Sequence, residues 1–89
     1  MDMLSAMRIF TRVVERGSLS AAARDLGLGQ PTVSERVEKL EKHLNARLLY
    51  RTTRSVQATD AGARFYDYAK RAIEAAEEAE ASVASAETS

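Results

Sequence analysis

The sequence has no cysteine, no tryptophan, one proline and one histidine. Without cysteine there can be no disulfide framework, thiolate zinc site or cysteine nucleophile, and His43 alone cannot build a multi-histidine metal site. No nucleophile and base stand together in a catalytic pattern. We therefore predict that the chain is not an enzyme and has no metal site and no cofactor, and that His43 is an exposed surface residue.

Long apolar runs are also absent. The longest, such as Leu48-Leu49-Tyr50, span three or four residues, far short of the ~18 that cross a bilayer. The start, Met1-Asp2-Met3, lacks the basic segment of a signal peptide. We expect a cytoplasmic protein without a membrane partner. A chain of 89 residues should form one small core and no deep catalytic cleft.

Neither sign of charge is in excess over the whole chain, because 13 basic residues stand against 13 acidic ones. The two signs are, however, unevenly distributed. Residues 1–71 hold all 13 basic and eight acidic residues, a net charge of +5, whereas residues 72–89 hold five glutamates and no base, a net charge of −5. A basic body of this kind is compatible with nucleic-acid binding, against which the neutral total would argue.

Hydrophobic spacing predicts two helices near the start of the chain. Apolar residues recur on one face over residues 3–14, and Gly17 is a typical residue just beyond a helix end. Ser20 is predicted to cap a short alanine-rich helix over residues 21–26, which Gly27 ends. The small alanines favour close contact between helices.

A third helix is predicted over about residues 30–44. Pro31 fits its first turn, where no backbone hydrogen bond is lost, and Asn45 fits its end. The buried face is predicted to consist of Val33, Val37, Leu40 and Leu44. The opposite face carries Pro31, Glu35, Glu38 and Lys39, with Thr32 and Ser34 beside it.

The second half of the sequence predicts a β-hairpin followed by a long helix. Two short strands around a tight turn are expected over about residues 48–58. Thr59 is a suitable N-cap for a helix over about residues 60–86, which is too long to pack on its own small domain alone. Two faces of this helix are candidates for a homodimer contact, one with Ala61, Phe65, Tyr68, Ala72, Ala75 and Ala79, the other with Ala69, Ile73, Ala76 and Val83.

The predicted fold is mainly α, a winged helix-turn-helix with a small two-stranded β wing and a long C-terminal linker helix. Residues 1–58 would form the DNA-binding domain, and residues 59–89 would form a linker and dimerisation helix with a frayed acidic tail. In this arrangement the third helix is the recognition helix, with its N-terminal outer face free to enter a major groove. The wing would lie at the minor groove.

The residue types at these positions suit contacts with double-stranded DNA. Base contacts are predicted for Gln30, Pro31, Thr32, Ser34 and Glu35, because amides, hydroxyls, carboxylates and small apolar groups read base edges. Phosphate contacts are predicted for Ser18, Ser20, Arg51 and Thr52. Arg54, near the hairpin tip, is the candidate for a narrow minor groove.

Several short segments, spread over roughly residues 4–75, follow the order and spacing of a known protein family. They are residues 17–23 (Gly-Ser-Leu-Ser-Ala-Ala-Ala), Gln30-Pro31-Thr32-Val33-Ser34, Leu40-Glu41, Arg47-Leu48-Leu49, Arg51 and Thr59-Asp60-Ala61-Gly62. Together they resemble the N-terminal DNA-binding domain of LysR-type transcriptional regulators, including the linker helix. The resemblance implies promoter DNA as the partner and the same base and wing contacts as above.

The resemblance also implies features beyond this chain. The linker helices of two subunits would pair antiparallel in a homodimer through Phe65, Tyr68, Ala69, Ala72, Ile73 and Ala76, and a tetramer of the full-length protein stays open. The family's effector-binding domain is absent from the 89 residues. We therefore expect a fragment of a longer regulator, whose small-molecule effector would bind in the missing C-terminal domain.

Two residues depart from the family pattern, and one rival function stays open. Gly29 stands where a capping Ser or Thr is common, and Glu35 stands where a basic residue is frequent. Glu35 is as well explained by a solvated acidic side chain as by a cytosine contact. Tyr66 and Tyr68 are interpreted as packing residues. The rival function is a protein-interaction or dimerisation module that uses the long helix alone.

Overall fold

The computed structural model describes residues 1–52 and 55–88, with the backbone alone for residues 85–88. In this part of the chain the elements follow the predicted order. They are α1 (Met3–Arg16), α2 (Leu19–Leu26), α3 (Gln30–Leu44), β1 (Leu49–Arg51), β2 (Val56–Ala58) and α4 (Asp60–Thr88). The two strands are antiparallel, with Tyr50 opposite Gln57. The mainly helical fold with a two-stranded wing is therefore confirmed.

The ends of the first three helices are set by local backbone chemistry. Gly17 and Gly27 adopt left-handed conformations, with φ of 63° and 68°, and Asn45 does the same with φ of 51°. These three helix ends are confirmed as predicted. Asp2 caps α1, since its side chain accepts a hydrogen bond from the Ser5 amide at 3.3 Å, a cap that the sequence analysis did not include.

The cap predicted for α2 was wrong by two residues. Ser18, not Ser20, has the extended backbone of an N-cap, and its Oγ accepts from the Ala21 amide at 3.2 Å. Ser20 is already helical, and its hydroxyl lies 3.1 Å from that of Ser18. The helix therefore begins two residues earlier than the alanine run suggests.

A single hydrophobic core holds the first three helices, the wing and the start of α4 together. Its largest fully buried side chains are Phe10, Val13, Val33, Val37, Leu40, Leu48 and Leu49. The predicted inner face of α3 is thus confirmed at Val33, Val37 and Leu40, while Leu44 is half-buried at the edge. Because α3 buries this face, its opposite face is left for solvent or a ligand.

The first half of α4 packs against α1 and is part of the same core. The rings of Phe10 and Phe65 meet edge to face with centroids 5.4 Å apart, and Tyr66 donates a hydrogen bond to Glu15 at 2.7 Å. Farther along, Arg8 and Glu77 lie 3.5 Å apart. Residues 77–84 are all exposed, so the second half of α4 extends beyond the core as expected from its length.

Two of the residues predicted for the dimer contact are buried in the single chain, and the contact itself stays a prediction. Ala69 and Ile73 are 0% and 8% exposed and lie on the same side of α4 as Tyr66, so they are buried within the chain itself. They have almost no surface left for a partner. Phe65 also packs on the core, whereas Tyr68 is 64% exposed. Ala72 and Ala76 are half-buried.

Candidate nucleic-acid interface

The turn between α2 and α3 presents the start of α3 outward. The Leu28 amide donates to Ala23 O at 2.9 Å and closes α2, and the Val33 amide donates to Gly29 O at 3.1 Å and opens α3. Four of the predicted base-contact residues are exposed on the first turns of α3, namely Gln30, Pro31, Thr32 and Glu35, and Ser34 is half-buried beside them. This is the geometry of a recognition helix available to a groove.

The predicted phosphate-contact residues meet in one concavity next to this face. A hollow of about 140 Å³ lies where α2, α3 and the wing converge, and Ser18, Ser20, Gln30, Arg51 and Thr52 are among its lining residues. Residues separated by more than 30 positions in the sequence therefore converge around one small space. Hydroxyls, an amide and a guanidinium make a lining rich in groups that hydrogen-bond phosphate oxygens.

The wing is anchored to the rest of the domain at both strands. At the start of β1 the amides of Leu49 and of the preceding Leu48 donate to Glu41 Oε2 at 3.2 and 2.7 Å. On β2 the Val56 amide donates to Gly17 O at 3.2 Å. These bonds join the hairpin to α3 and to the end of α1, so the wing and the recognition helix form one surface.

Glu41 anchors the wing to α3, a role that was not predicted from the sequence. Its carboxylate satisfies two amides at the start of β1 that would otherwise lack partners at the core edge. A signal for it existed in the sequence, since Glu41 follows the buried Leu40 and precedes the half-buried Leu44 by three residues. A carboxylate at the border of a buried helix face needs hydrogen-bond donors.

Two hydroxyl residues, Thr52 after β1 and Ser55 before β2, are hydrogen-bonded to each other. The Thr52 amide donates to Ser55 O at 2.9 Å, and Thr52 Oγ1 accepts from the Ser55 amide at 3.0 Å. Arg54, the predicted minor-groove residue, lies outside the described residues. Its role therefore stays a prediction based on its position in the sequence.

Two acidic side chains on the outer face of α3 are paired with cations. Glu35 lies 3.2 Å from Lys39, one helical turn along, and Glu38 lies 3.6 Å from Arg51 of the wing. Arg51 Nη1 also donates to Ser34 Oγ at 3.0 Å. The negative charge that α3 would present to a phosphate backbone is thus partly offset within the chain.

Among the described residues, no three His, Cys, Asp or Glu side chains come together as metal ligands would. His43 lies exposed on α3. Across the described part of the chain, no helix combines the length and apolarity needed to cross a bilayer.

An exposed helix after a tight turn, a hairpin fixed beside it and polar residues converging between them define the winged helix-turn-helix class. Within this class, residues 4–63 match the family model for bacterial regulatory helix-turn-helix proteins of the lysR family. The chain therefore belongs to the LysR family, as its resemblance implied.

Individual relatives agree with this assignment. An HTH-type transcriptional regulator of Xanthomonas campestris is 51% identical over 75 residues, which cover 84% of this chain and 22% of the relative. An HTH-type transcriptional repressor of Pseudomonas aeruginosa is 45% identical over 83 residues, which cover 93% of this chain and 26% of the relative. The chain thus spans about a quarter of the length of these curated relatives.

Solved structures of similar chains include complexes with DNA. The BenM_DBD chain in a complex with catB site 1 DNA superposes with a TM-score of 0.92 at 31% identity, covering 97% of this chain and 96% of that one. The CbnR_DBD chain in a DNA complex gives a TM-score of 0.88 at 31% identity, covering 93% and 95%. Both similarities extend over the wing and the long helix as well as the helix-turn-helix.

Proposed function

We propose that this chain is the sequence-specific DNA-binding part of a dimeric bacterial transcriptional regulator and has no enzymatic role. In this proposal α3 enters the major groove, and the wing lies against the adjacent minor groove. The observation that carries it is the convergence of Gln30 on α3 with Ser18, Ser20, Arg51 and Thr52 around one concavity. The likeness to chains solved with DNA supports it.

The proposal separates residues that read bases from residues that position the domain. Gln30, exposed at the start of α3, can form a bidentate contact with adenine, so Gln30→Ala should relax the preference at one base pair by about 1–3 kcal/mol. Ser20, in the concavity, would contact phosphate. Ser20→Ala should therefore weaken binding to all sequences by a similar factor.

Site selection followed by fluorescence anisotropy tests this proposal. The wild-type chain should select a pseudo-palindromic site, and the logarithm of its affinity should fall against log salt with a slope of about −0.9 for each phosphate contacted. The two alanine variants are then compared on every single-base variant of that site. A wild-type chain without sequence preference, or with a flat salt slope, would contradict the proposal.

We infer that a second copy of the chain binds along α4. Beyond Ala61 and Phe65, which pack on the chain's own core, apolar or small residues continue every three or four positions on one side of α4, at Tyr68, Ala72, Ala75 and Ala79. Tyr68 is largely exposed in the single chain, and small alanines allow two helices to approach closely. The stretch beyond Glu77, which its own core leaves uncovered, gains a partner in such a pair.

The relatives are several times longer than this chain. We propose that it acts as one part of a longer regulator, and that a small-molecule effector binds elsewhere in that protein. A cytoplasmic site of action follows from promoter DNA as the ligand. No cofactor is needed for the contacts proposed at α3 and the wing.

A further inference from the structure

One guanidinium joins the recognition helix to the wing. Arg51, the last residue of β1, places Nη1 3.0 Å from Ser34 Oγ and 3.6 Å from Glu38 Oε1. Ser34 and Glu38 are four residues apart, so they stand one above the other on α3 and a single side chain reaches both. Of the three, Ser34 is a predicted base-contact residue and Arg51 a predicted phosphate-contact residue.

The contact with Arg51 determines what Ser34 can offer to a base. An arginine side chain only donates hydrogen bonds, so Ser34 Oγ must be the acceptor of the 3.0 Å contact. The hydroxyl hydrogen of Ser34 then has to point elsewhere. With Arg51 in place, Ser34 is biased toward donating to an acceptor on a base edge, such as N7 of a purine or O4 of thymine.

The contact with Glu38 determines what Arg51 can offer to DNA. The Glu38 side chain is 59% exposed and the Arg51 side chain 30% exposed, so their ion pair lies at the surface near the proposed DNA face. A guanidinium that is paired with a carboxylate is less available to a phosphate. Without the carboxylate, Arg51 could leave Ser34 and bind the phosphate backbone of any sequence. Such a contact raises the affinity for DNA but adds no preference for one sequence over another.

We propose that Glu38 is a positioning residue for sequence discrimination, acting through Arg51. Glu38 keeps Arg51 on Ser34 and away from non-specific phosphates. In this proposal Arg51 orients a base reader, and this role replaces the phosphate contact that was predicted for Arg51 from the sequence. This inference rests on the proposed DNA-binding function and assigns to an acidic residue of α3 a role that favours specificity at the cost of total affinity.

The first test replaces Glu38 in the 89-residue chain. E38Q removes the charge but keeps the size, and because the side chain is exposed the core is unaffected. Binding to a random duplex should strengthen by about two- to fivefold at low salt, the range expected for an exposed ion pair. The salt slope should steepen by about 0.9, as for one more phosphate contact. Preference at the base pair read by Ser34 should fall.

A matched control is available on α4. E77Q removes the same charge from an exposed glutamate that also lies 3.5 Å from an arginine, Arg8. It should leave the affinity for random duplex, the salt slope and the base preferences at their wild-type values. If E77Q and E38Q strengthened random binding equally, net charge alone would explain the effect and the proposal would be overturned.

A double-mutant cycle with R51Q tests whether Glu38 acts through Arg51. In an R51Q background, E38Q should leave both random binding and the base preference unchanged, because the side chain that Glu38 holds is gone. If E38Q strengthened random binding as much with R51Q as without it, Glu38 would act by direct repulsion of phosphates, and the proposal would be wrong. A wild-type chain that binds no DNA would instead refute the proposed function itself.

Discussion

Gly62 shows how closely the linker helix approaches the wing. A Cβ at this position would lie 2.9 Å from the carbonyl carbon of Leu48 and closer still to its oxygen. The same stretch is held by hydrogen bonds, since the Thr59 amide donates to Leu48 O at 2.9 Å and Thr59 Oγ1 donates to Arg47 O at 2.6 Å. Both sides of the contact are backbone, so neither can move aside as a side chain would.

We predict that Gly62→Ala lowers the free energy of unfolding by about 1–3 kcal/mol, the usual cost of overpacking. Urea denaturation followed by circular dichroism measures it. Gly29→Ala is the matched control, because its Cβ would meet nothing closer than Pro31 Cδ at 3.8 Å. A Gly62→Ala midpoint no lower than that of the wild type would show that α4 can withdraw from the Leu48 backbone.

At Gly29, in contrast, we predict a substitution that raises the free energy of unfolding. This residue is the N-cap of α3, with an extended backbone (φ −74°, ψ 148°) and no side-chain hydrogen bond to the helix. Gly29→Ser supplies a capping hydroxyl and restricts the unfolded chain, so it should stabilise the domain by roughly 0.5–1 kcal/mol. Thermal denaturation should show a higher midpoint for Gly29→Ser than for Gly29→Ala. If alanine stabilised as much, the cap would contribute nothing.

At the residue scale, the sequence predicts a position well when one residue decides the local backbone. Gly17, Gly27 and Asn45 were predicted because left-handed backbone selects few residue types. The choice between Ser18 and Ser20 depends on something farther away. The preceding Gly17 carbonyl is bound by the Val56 amide of the wing, and no local pattern contains that contact.

At the scale of elements, one polar cluster joins α1 to α4. Glu15 Oε2 accepts from Tyr66 Oη at 2.7 Å and lies 3.2 Å from Lys70 Nζ. The hydrogen bond from Tyr66 lowers the pKa of Glu15, and the nearby Lys70 and Arg12 charges add to this against the opposing effect of burial. The same bond to Glu15, together with burial, raises the pKa of Tyr66.

We predict that Tyr66→Phe lowers the free energy of unfolding near neutral pH by about 0.5–1 kcal/mol, since the lost bond involves a charged but partly exposed group. A carboxyl with a depressed folded pKa contributes its stability above its unfolded pKa and loses it as pH falls through the folded value. The difference between wild type and Tyr66→Phe should therefore shrink in acid.

The contribution of Tyr66 to stability depends on pH in the opposite direction from that of Glu15. A raised folded pKa means that the contribution of Tyr66 is present below its unfolded pKa and is lost as pH rises through the folded value. Urea melts from acid to alkaline pH measure both limits. Tyr50→Phe is the control, because Tyr50 is exposed on β1, and its curve should follow wild type throughout. A pH-independent deficit for Tyr66→Phe would contradict the assignment.

The helices and strands were largely predictable from the sequence, but the side of α4 that faces the core was not. Spacing of apolar residues predicted α1 and α3, capping and stop residues predicted α2 and the start of α4, and the run around Leu48 and Leu49 predicted the hairpin. On α4, however, both candidate faces are dominated by alanine, so hydrophobicity could not rank them. Phe10 of α1, which receives Phe65, decides which side turns inward, and that choice buries Ala69 and Ile73.

At the scale of the whole molecule, the change in the sign of charge along α4 favours one orientation of the proposed dimer. Arg64, Arg71 and Glu78 are seven residues apart, so they share one edge of the face that carries Tyr68 and Ala72. In an antiparallel pair this edge meets itself in reverse, which brings Arg71 near Glu78 of the partner subunit. In a parallel pair it faces the opposite edge, where Ala69 and Ala76 carry no charge.

We predict that Arg71→Glu weakens self-association and that Arg71→Glu combined with Glu78→Arg restores it. Two symmetric exposed pairs, at roughly 0.2–1 kcal/mol each, correspond to a change in the dimer dissociation constant of about two- to thirtyfold. Sedimentation equilibrium measures this constant. Arg24→Glu, which makes the same charge change at an exposed position on α2, should have no effect on it. If the double variant associated no better than Arg71→Glu alone, the pairing of this edge with itself, and with it the antiparallel arrangement, would be wrong.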